Sequence, residues 1–398
     1  MVQIVKRGLC AVVAAVLSVV VLGAAAKAAV PAQLDALYSE VLRRPQDTEL
    51  NLRFARAAEE AGILRWALSA YERVSVNDPG NLEAQAGLQR IRRKLQPDVS
   101  QVTLELGGGY ESNPRYYIGP RRDEAIALAS AILFDERAIS AMRWRTTGAV
   151  TGLFYSQSND LNYGQATLNT GPVLDILPGW AVVPAIGGTA AYYDHHFYYG
   201  EGALTTTFES ATQAAIKSLQ IKTAYRSYDD FFPSGSGFYT EVRGRLALPN
   251  ALGAGSVLIL TPWVLYSDIS GTAISPVLGD IQPGAYVEYA GKVELFKSLT
   301  DRIVLGANFT AIDRRYRTDI VLQTGGKRVD TLTIPGGSLI FPHLFSYAAD
   351  LRFDYRYILD HSNDPSKSFN DHVVTGTLVY RFDPTQSFWT QALYSPAR

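Results

Sequence analysis

The sequence predicts a mainly β protein: a transmembrane antiparallel β-barrel of about fourteen strands, preceded by a small α-helical module. Three observations carry this. From Val102 onward, apolar and polar residues alternate with a period of two, and ionic residues gather on one parity. The composition is ordinary in apolar content, at 47%, yet only 19% charged and richer in Tyr (23) than in Phe (16). A membrane barrel produces such a composition, because it turns only every second residue to lipid. The chain also opens with an export signal. Apolar and aromatic content excludes a disordered chain, and a single Cys excludes a disulfide scaffold. A mean hydropathy of −0.01 argues against a bundle of membrane helices. The formal charge of −1 offers no basic field for nucleic acid.

Residues 1–28 read as a signal peptide. Lys6 and Arg7 supply the positive start, Leu9 to Leu22 the apolar run, and Ala26-Lys27-Ala28 the small residues before cleavage. Cys10 precedes the end of the apolar run, so it is not a lipidation site, and cleavage removes it. Loss of Lys6, Arg7 and Lys27 leaves 34 bases against 38 acids. A cysteine-free, mildly acidic exported chain suits a bacterial envelope, with the barrel in the outer membrane and the helical module in the periplasm.

Residues 29–97 carry helical periodicity. Thr48 to Asn81 matches a 34-residue helix–turn–helix repeat. Ala55 and Ala67 allow close helix approach, Gly62 sits at the turn, Tyr71 fills the next gap, and Pro79 closes the unit. The segment resembles a tetratricopeptide repeat, departing from it at Asn51 and Ala58. Leu34 to Pro45 and Leu82 to Lys94 read as flanking helices. The resemblance implies a docking module for a periplasmic substrate or partner; a structural spacer is the other reading. Arg90, Arg92, Arg93 and Lys94 are expected to complement the helix C-terminal dipole.

Residues 98–398 read as the barrel. Strands are expected near 101–111, 123–136, 141–157, 161–176, 179–194, 198–214, 216–230, 236–249, 254–269, 281–298, 301–316, 329–344, 347–361 and 370–382. Turn signals at Ser158-Asn159-Asp160, Pro178-Gly179, Pro233-Ser234-Gly235, Pro249-Asn250 and Ser362-Asn363-Asp364 separate them. Glu124 to Phe134 is Ala-rich and fits a helix as well as a strand. Pro262, inside the ninth strand, removes a ladder donor and implies a bulge.

Ionic parity is clearest in Asp350, Arg352, Asp354 and Arg356, alternating with Leu351, Phe353, Tyr355 and Tyr357. Glu241, Arg243 and Arg245 repeat it, as do Arg226 with Gln220 and Lys222, and Glu288 with Lys292 and Glu294. In a barrel this parity lines a wet lumen. These rows place both signs in the channel, either as a field that orients a passing substrate or as cross-strand pairs that stiffen the wall. Gly376, Leu378, Tyr380 and Phe382 share one parity and look like the closing-strand signal that the barrel assembly machinery reads. Residues 383–398 follow it, and Phe388, Trp389, Ala392 and Tyr394 give that tail a strand-like pattern.

Gly107-Gly108-Gly109-Tyr110-Glu111-Ser112-Asn113-Pro114 opens the barrel, and Tyr380-Arg381-Phe382 closes it. With the preceding repeat, this is similar to the surface lipoprotein assembly modifier family. The resemblance implies an outer-membrane translocon for a lipoprotein or protein. Exopolysaccharide-export porins combine the same two parts, with a polysaccharide as the substrate, and a small-solute porin or a purely structural barrel are further alternatives. Outer-membrane lipid and the assembly machinery are the other expected partners, with no nucleic acid.

No cofactor or metal site is expected. Asp194, His195 and His196 are close, but neighbouring strand residues point to opposite faces. This stretch, Tyr116-Tyr117, Phe231-Phe232 and Phe238-Tyr239 are expected as aromatics of the membrane interface. A hydrolase needs a nucleophile and a base; Ser346 and His343 fall on opposite faces, and no Gly-x-Ser-x-Gly elbow is present. The chain is read as a non-enzyme.

Overall fold

The computed structural model describes residues 32–383 except 79, 96–97, 117–122, 140–141, 178–179, 212–214, 231–234, 270–283, 322 and 347. The signal peptide, Pro79, Tyr117, Pro178-Gly179, Phe231-Phe232, Pro233-Ser234 and the tail from 384 lie outside the described residues. The chain divides into two compact units, parting after Leu95.

Among its described residues the first unit holds four helices, α1 (Ala32–Arg43), α2 (Thr48–Glu60), α3 (Leu64–Asn77) and α4 (Leu82–Leu95), each packed on the next. Asp47 caps α2 by accepting from the Leu50 amide at 3.0 Å. Gly62 takes φ +73° in the turn to α3, a conformation that costs glycine little. Ala55, Ala67 and Tyr71 are fully buried in one core with Phe54, Val74 and Ile91. Tyr71 lies against Gly87 of α4, where an added Cβ would meet its ring at 2.5 Å. Asn51 is also buried: its Nδ2 donates to the Asp47 carbonyl at 2.7 Å, and its Oδ1 accepts from Arg73 at 3.1 Å. Two of the α4 bases pair with acids of neighbouring helices. Arg90 forks onto Glu59 of α2 at 2.7 Å, and Arg92 reaches Glu72 of α3 at 3.1 Å. Burial, then the Glu59 carboxylate, push the Tyr71 hydroxyl above its usual range.

The second unit is one closed antiparallel barrel. Its strands are β1 (Val99–Glu111), β2 (Glu124–Ile139), β3 (Met142–Tyr155), β4 (Tyr163–Leu177), β5 (Trp180–Tyr193), β6 (His196–Ala211), β7 (Ile216–Tyr228), β8 (Gly237–Pro249), β9 (Ser256–Asp268), β10 (Ala285–Thr300), β11 (Ile303–Ile320), β12 (Lys327–Ser346), β13 (Ala349–Ser362) and β14 (Phe369–Phe382). Each strand pairs with its sequence neighbours, and β1 closes on β14 from Val102↔Phe382 to Glu111↔Val373. Closure removes every sheet edge, which is what lets a β structure span lipid.

Parity decides the two faces. Leu106, Ile186, Leu204, Phe238, Phe309 and Tyr355 are exposed on the outward parity. The residues between them in sequence point inward and carry most of the ionic groups; Asp313 and Arg315 of β11 lie on the outward parity. This is an outer-membrane-type barrel, apolar outside and polar within. At the end bearing β1's start and β14's end, connections run from two residues (301–302) to six (250–255). At the opposite end, called distal below, they reach sixteen (269–284).

One open alternative is resolved and one expectation is corrected. The segment from Glu124 to Phe134 is strand, not helix: Ala125, Ala127, Ala129 and Ala131 fall on the outward parity while Ile126, Leu128, Ile132 and Phe134 point inward. Pro262 makes no bulge. The β8–β9 ladder is interrupted between Arg243↔Trp263 and Leu246↔Leu260, yet its register is the same on both sides. The ring fits because Gly244 lies next to it, its Cβ position 3.4 Å from Pro262 Cγ.

Candidate functional site: the barrel lumen

The register puts Arg226, Glu241, Arg243, Arg245, Glu288, Lys292, Asp350, Arg352, Asp354 and Arg356 on the inward parity. They do not form one site. Three layers differ in burial and in how the charges are satisfied.

In the distal layer the charged side chains are buried and paired. Arg226 of β7 forks onto Glu201 of β6 at 3.0 and 2.7 Å, with Tyr199 and Tyr239 rings 4.2 and 4.8 Å from its guanidinium carbon. Tyr239 donates to the same Glu201 oxygen at 3.0 Å. Arg314 of β11 meets Glu288 of β10 at 2.7 Å, both side chains being 1% or less exposed. Trp263 Nε1 donates to the other Glu288 oxygen at 2.8 Å. Arg328 grips Asp330 at 2.9 and 2.6 Å beside the Tyr316 ring. Such pairs persist out of water because each charge has a bidentate or second partner.

The same layer continues across the barrel seam with acids that have neutral partners. Glu111 accepts from Tyr155 at 2.9 Å, and Glu124 from the Ser158 amide at 2.9 Å. Asp371 Oδ1 accepts from the Ser112 amide, the Ser112 hydroxyl and the Asn113 amide at 3.1, 2.9 and 2.8 Å. Asn113 Nδ2 donates to the Asn370 carbonyl at 3.1 Å. The first-strand motif is thus a clamp from the end of β1 to the start of β14. Gly107 and Gly109 are needed just below it: a Cβ there would come within 2.6 and 2.0 Å of the Gly376 and Val374 carbonyl oxygens.

The middle layer is half-exposed. Arg243 lies along its own strand on Glu241 at 2.6 Å, with the Trp263 ring at 4.7 Å. Lys292 meets Glu294 at 2.7 Å, and Arg352 meets Asp354 at 2.6 Å. Residues two apart on a strand share a face, so these pairs lie flat along the wall. Arg245 and Arg356 are exposed and have no carboxylate within ion-pair distance among the described residues. The lower layer holds Glu136, Arg143, Arg145 and Glu209, with Arg145 bridging the two acids at 2.7 Å each. Asp350 pairs with Arg381 there.

Sequence reasoning missed Glu201, Arg314, Asp330, Asp371 and the Arg143–Arg145 pair. The last had a signal in its spacing, Met142-Arg143-Trp144-Arg145, which repeats the ionic parity. The aromatic reading is corrected in part: Phe238 is exposed outward, whereas adjacent Tyr239 is buried inward. Tyr116 follows β1 and packs on Phe369 at 4.4 Å. His195 and Asp194 form the β5–β6 turn, both at positive φ (65° and 49°), while His196 begins β6. Gly376, Tyr380 and Phe382 share the outward face of β14, with the Tyr380 and Phe382 rings 5.8 Å apart. In the distal connections, Arg115 meets Asp160 at 2.7 Å, and this bond holds the Asp160 carboxyl below its ordinary range. No group of three metal-ligating side chains occurs among the described residues.

No family model matches the chain, and no curated protein matches it. Among solved structures, OmpT, an outer membrane protein of Vibrio cholerae, is similar at 9% identity, covering 72% of this chain and 100% of its own, with a TM-score of 0.39. Pseudomonas aeruginosa OccK2 (OpdF) is similar at 6% identity, over 71% and 98%, with a TM-score of 0.37. A BenF-like porin from Pseudomonas fluorescens Pf-5 is similar at 8% identity, over 73% and 99%, with a TM-score of 0.37. Likenesses this distant carry no argument about what this chain does.

Proposed function

We propose that the chain is an outer-membrane channel passing a polar substrate between periplasm and exterior. One observation carries this. A half-exposed ionic wall lines the middle of the closed barrel, and an apolar surface surrounds it. Solvated charges inside an apolar-surfaced barrel are what a water-filled channel presents. The short turns accompany the end that holds both termini, as periplasmic turns do in bacterial barrels, so the helical module belongs on the periplasmic side. There it receives substrate or a partner protein.

The more specific reading is export of a lipoprotein or protein. It rests on Tyr110–Asn113, Tyr380–Phe382 and the repeat-like Thr48–Asn81 segment. A second reading, small-solute passage, is favoured by the distal layer, where the packed side chains of Tyr199, Tyr239, Arg226 and Arg314 occupy the barrel interior and disfavour a folded domain. A polysaccharide is the extended-chain alternative. Gly376, Tyr380 and Phe382 serve the assembly machinery in each case.

The test is planar-bilayer conductance of the folded, heat-modifiable protein. Replacing Arg243, Arg352 and Arg356 together by Ala is expected to change single-channel conductance. A wild-type barrel with no conductance, or a triple variant conducting identically, overturns the lumen reading. Surface display of a co-expressed lipoprotein separates export from solute passage.

A further inference from the structure

We infer that the middle of the lumen binds small carboxylate-bearing anions at Arg245 of β8 and Arg356 of β13; this rests on the channel reading and names its substrate class.

The inward charges balance almost everywhere else. Arg143, Arg145, Arg226, Arg243, Arg314, Arg328, Arg352 and Arg381 each hold a carboxylate. From the acids' side, Glu209, Glu241, Glu294, Asp350 and Asp354 each have a cation. Arg245 and Arg356 are left over. Both are exposed, both point inward, and neither has a hydrogen-bond or ion-pair partner among the described residues.

Their isolation is built into the register. The residue facing Arg245 on β7 is Ser218. Arg356 is flanked by Gly336 on β12 and Val373 on β14. Neither arginine has an acid directly across the ladder, so each guanidinium extends its fork into the lumen. β8 and β13 are five places apart in a ring of fourteen strands, so the two stand on different walls. On the remaining arc of the ring, β4 and β5 carry small neutral inward groups, including Thr167, Asn169, Ala185 and Gly187.

The buried inward acids that form no ion pair among the described residues, Glu111, Glu124, Asp360 and Asp371, lie in the distal layer and are 5% or less exposed. Glu111, Glu124 and Asp371 are held by neutral donors. Arg356 lies two strands from Glu111, with Val373 paired to both. The uncompensated charge that meets lumen water in the middle layer is therefore positive, with Arg245 the less offset of the two. A free guanidinium fork matches a carboxylate in shape and donor number.

Citrate is the probe. Titration calorimetry on the detergent-folded full chain should show citrate binding that weakens with added salt. Arg245→Ala should weaken it about tenfold, Arg356→Ala less, and the double variant more than either. Arg245→Lys should retain part of it. In bilayers under a salt gradient, the reversal potential should be anion-selective and move toward cations in the double variant. Neither side chain braces the wall, so heat-modifiable migration should be unchanged in all variants. Undetectable citrate binding, or binding that survives in the double variant, overturns the inference even if the barrel conducts. Binding lost in the double variant, with no conductance in the wild type, upholds this site and overturns the channel.

Discussion

Glu288–Arg314 in the distal layer and Glu241–Arg243 in the middle layer use the same two side-chain types on the same inward parity, yet they do different work. Glu288 and Arg314 sit on neighbouring strands and are almost wholly buried. Glu241 and Arg243 sit on one strand and are 14% and 36% exposed. The buried pair ties β10 to β11 and fills space; the solvated pair lies along one strand, with Arg243 against the Trp263 ring, and is open to water. In these two pairs inward charge thus bonds strand to strand where it is buried and is left to solvent where it lies along a single strand.

The largest effect should come from breaking the buried pair. Arg314→Met leaves the Glu288 carboxylate buried and should cost about 3–5 kcal/mol, read as a lower temperature for the gel-mobility shift of the folded barrel. If Arg314→Met is as stable as the wild type, the distal layer is not what holds the barrel together. Asp371→Ala should come next. It strips the acceptor from two amides and a hydroxyl, for about 1–3 kcal/mol, and should allow the β1–β14 seam to fray in hydrogen exchange. Arg243→Ala should cost under about 1 kcal/mol in stability while still altering conductance. A large stability loss there would erase the contrast between layers.

The smallest effect lies in the Arg115–Asp160 tie. Because Asp160 titrates below its unfolded value, the tie contributes fully above the ordinary carboxylate pKa of about 3.9 and is lost as pH falls through the lower folded value. Exchange of residues 112–116 should therefore quicken only in strong acid, and Asp160→Asn should show that behaviour at neutral pH.

The fold was largely legible because a period of two needs only local sequence. Rows such as Asp350 to Tyr357 declare their faces without reference to any other strand. The Ala-rich β2 was ambiguous for a physical reason: alanine suits a helix, and only the pairing of Ala131 with Leu104 shows these alanines lining the outward face. Burial was not legible. Arg226 and Arg243 look alike in sequence, and only the stacking of Tyr199 and Tyr239 on Arg226 separates them. Tyr239 shows the same limit: its neighbour Phe238 suggested the membrane boundary, but a one-residue step crosses the sheet. Partners such as Arg145 and Glu209, 64 residues apart, depend on a register that no local pattern encodes.

The clamp of Asp371 on Ser112 and Asn113 joins residues 259 and 258 positions apart. Its two halves emerge from the ribosome at nearly opposite ends of the barrel's synthesis. Until the last strand exists, β1 has an open edge and Ser112 has no acceptor, so a truncated chain cannot complete the ring. Contacts of such sequence separation form slowly. The motif at the front of the barrel thus acts as a check on completeness: it reports, through three hydrogen bonds, that β14 has arrived in register.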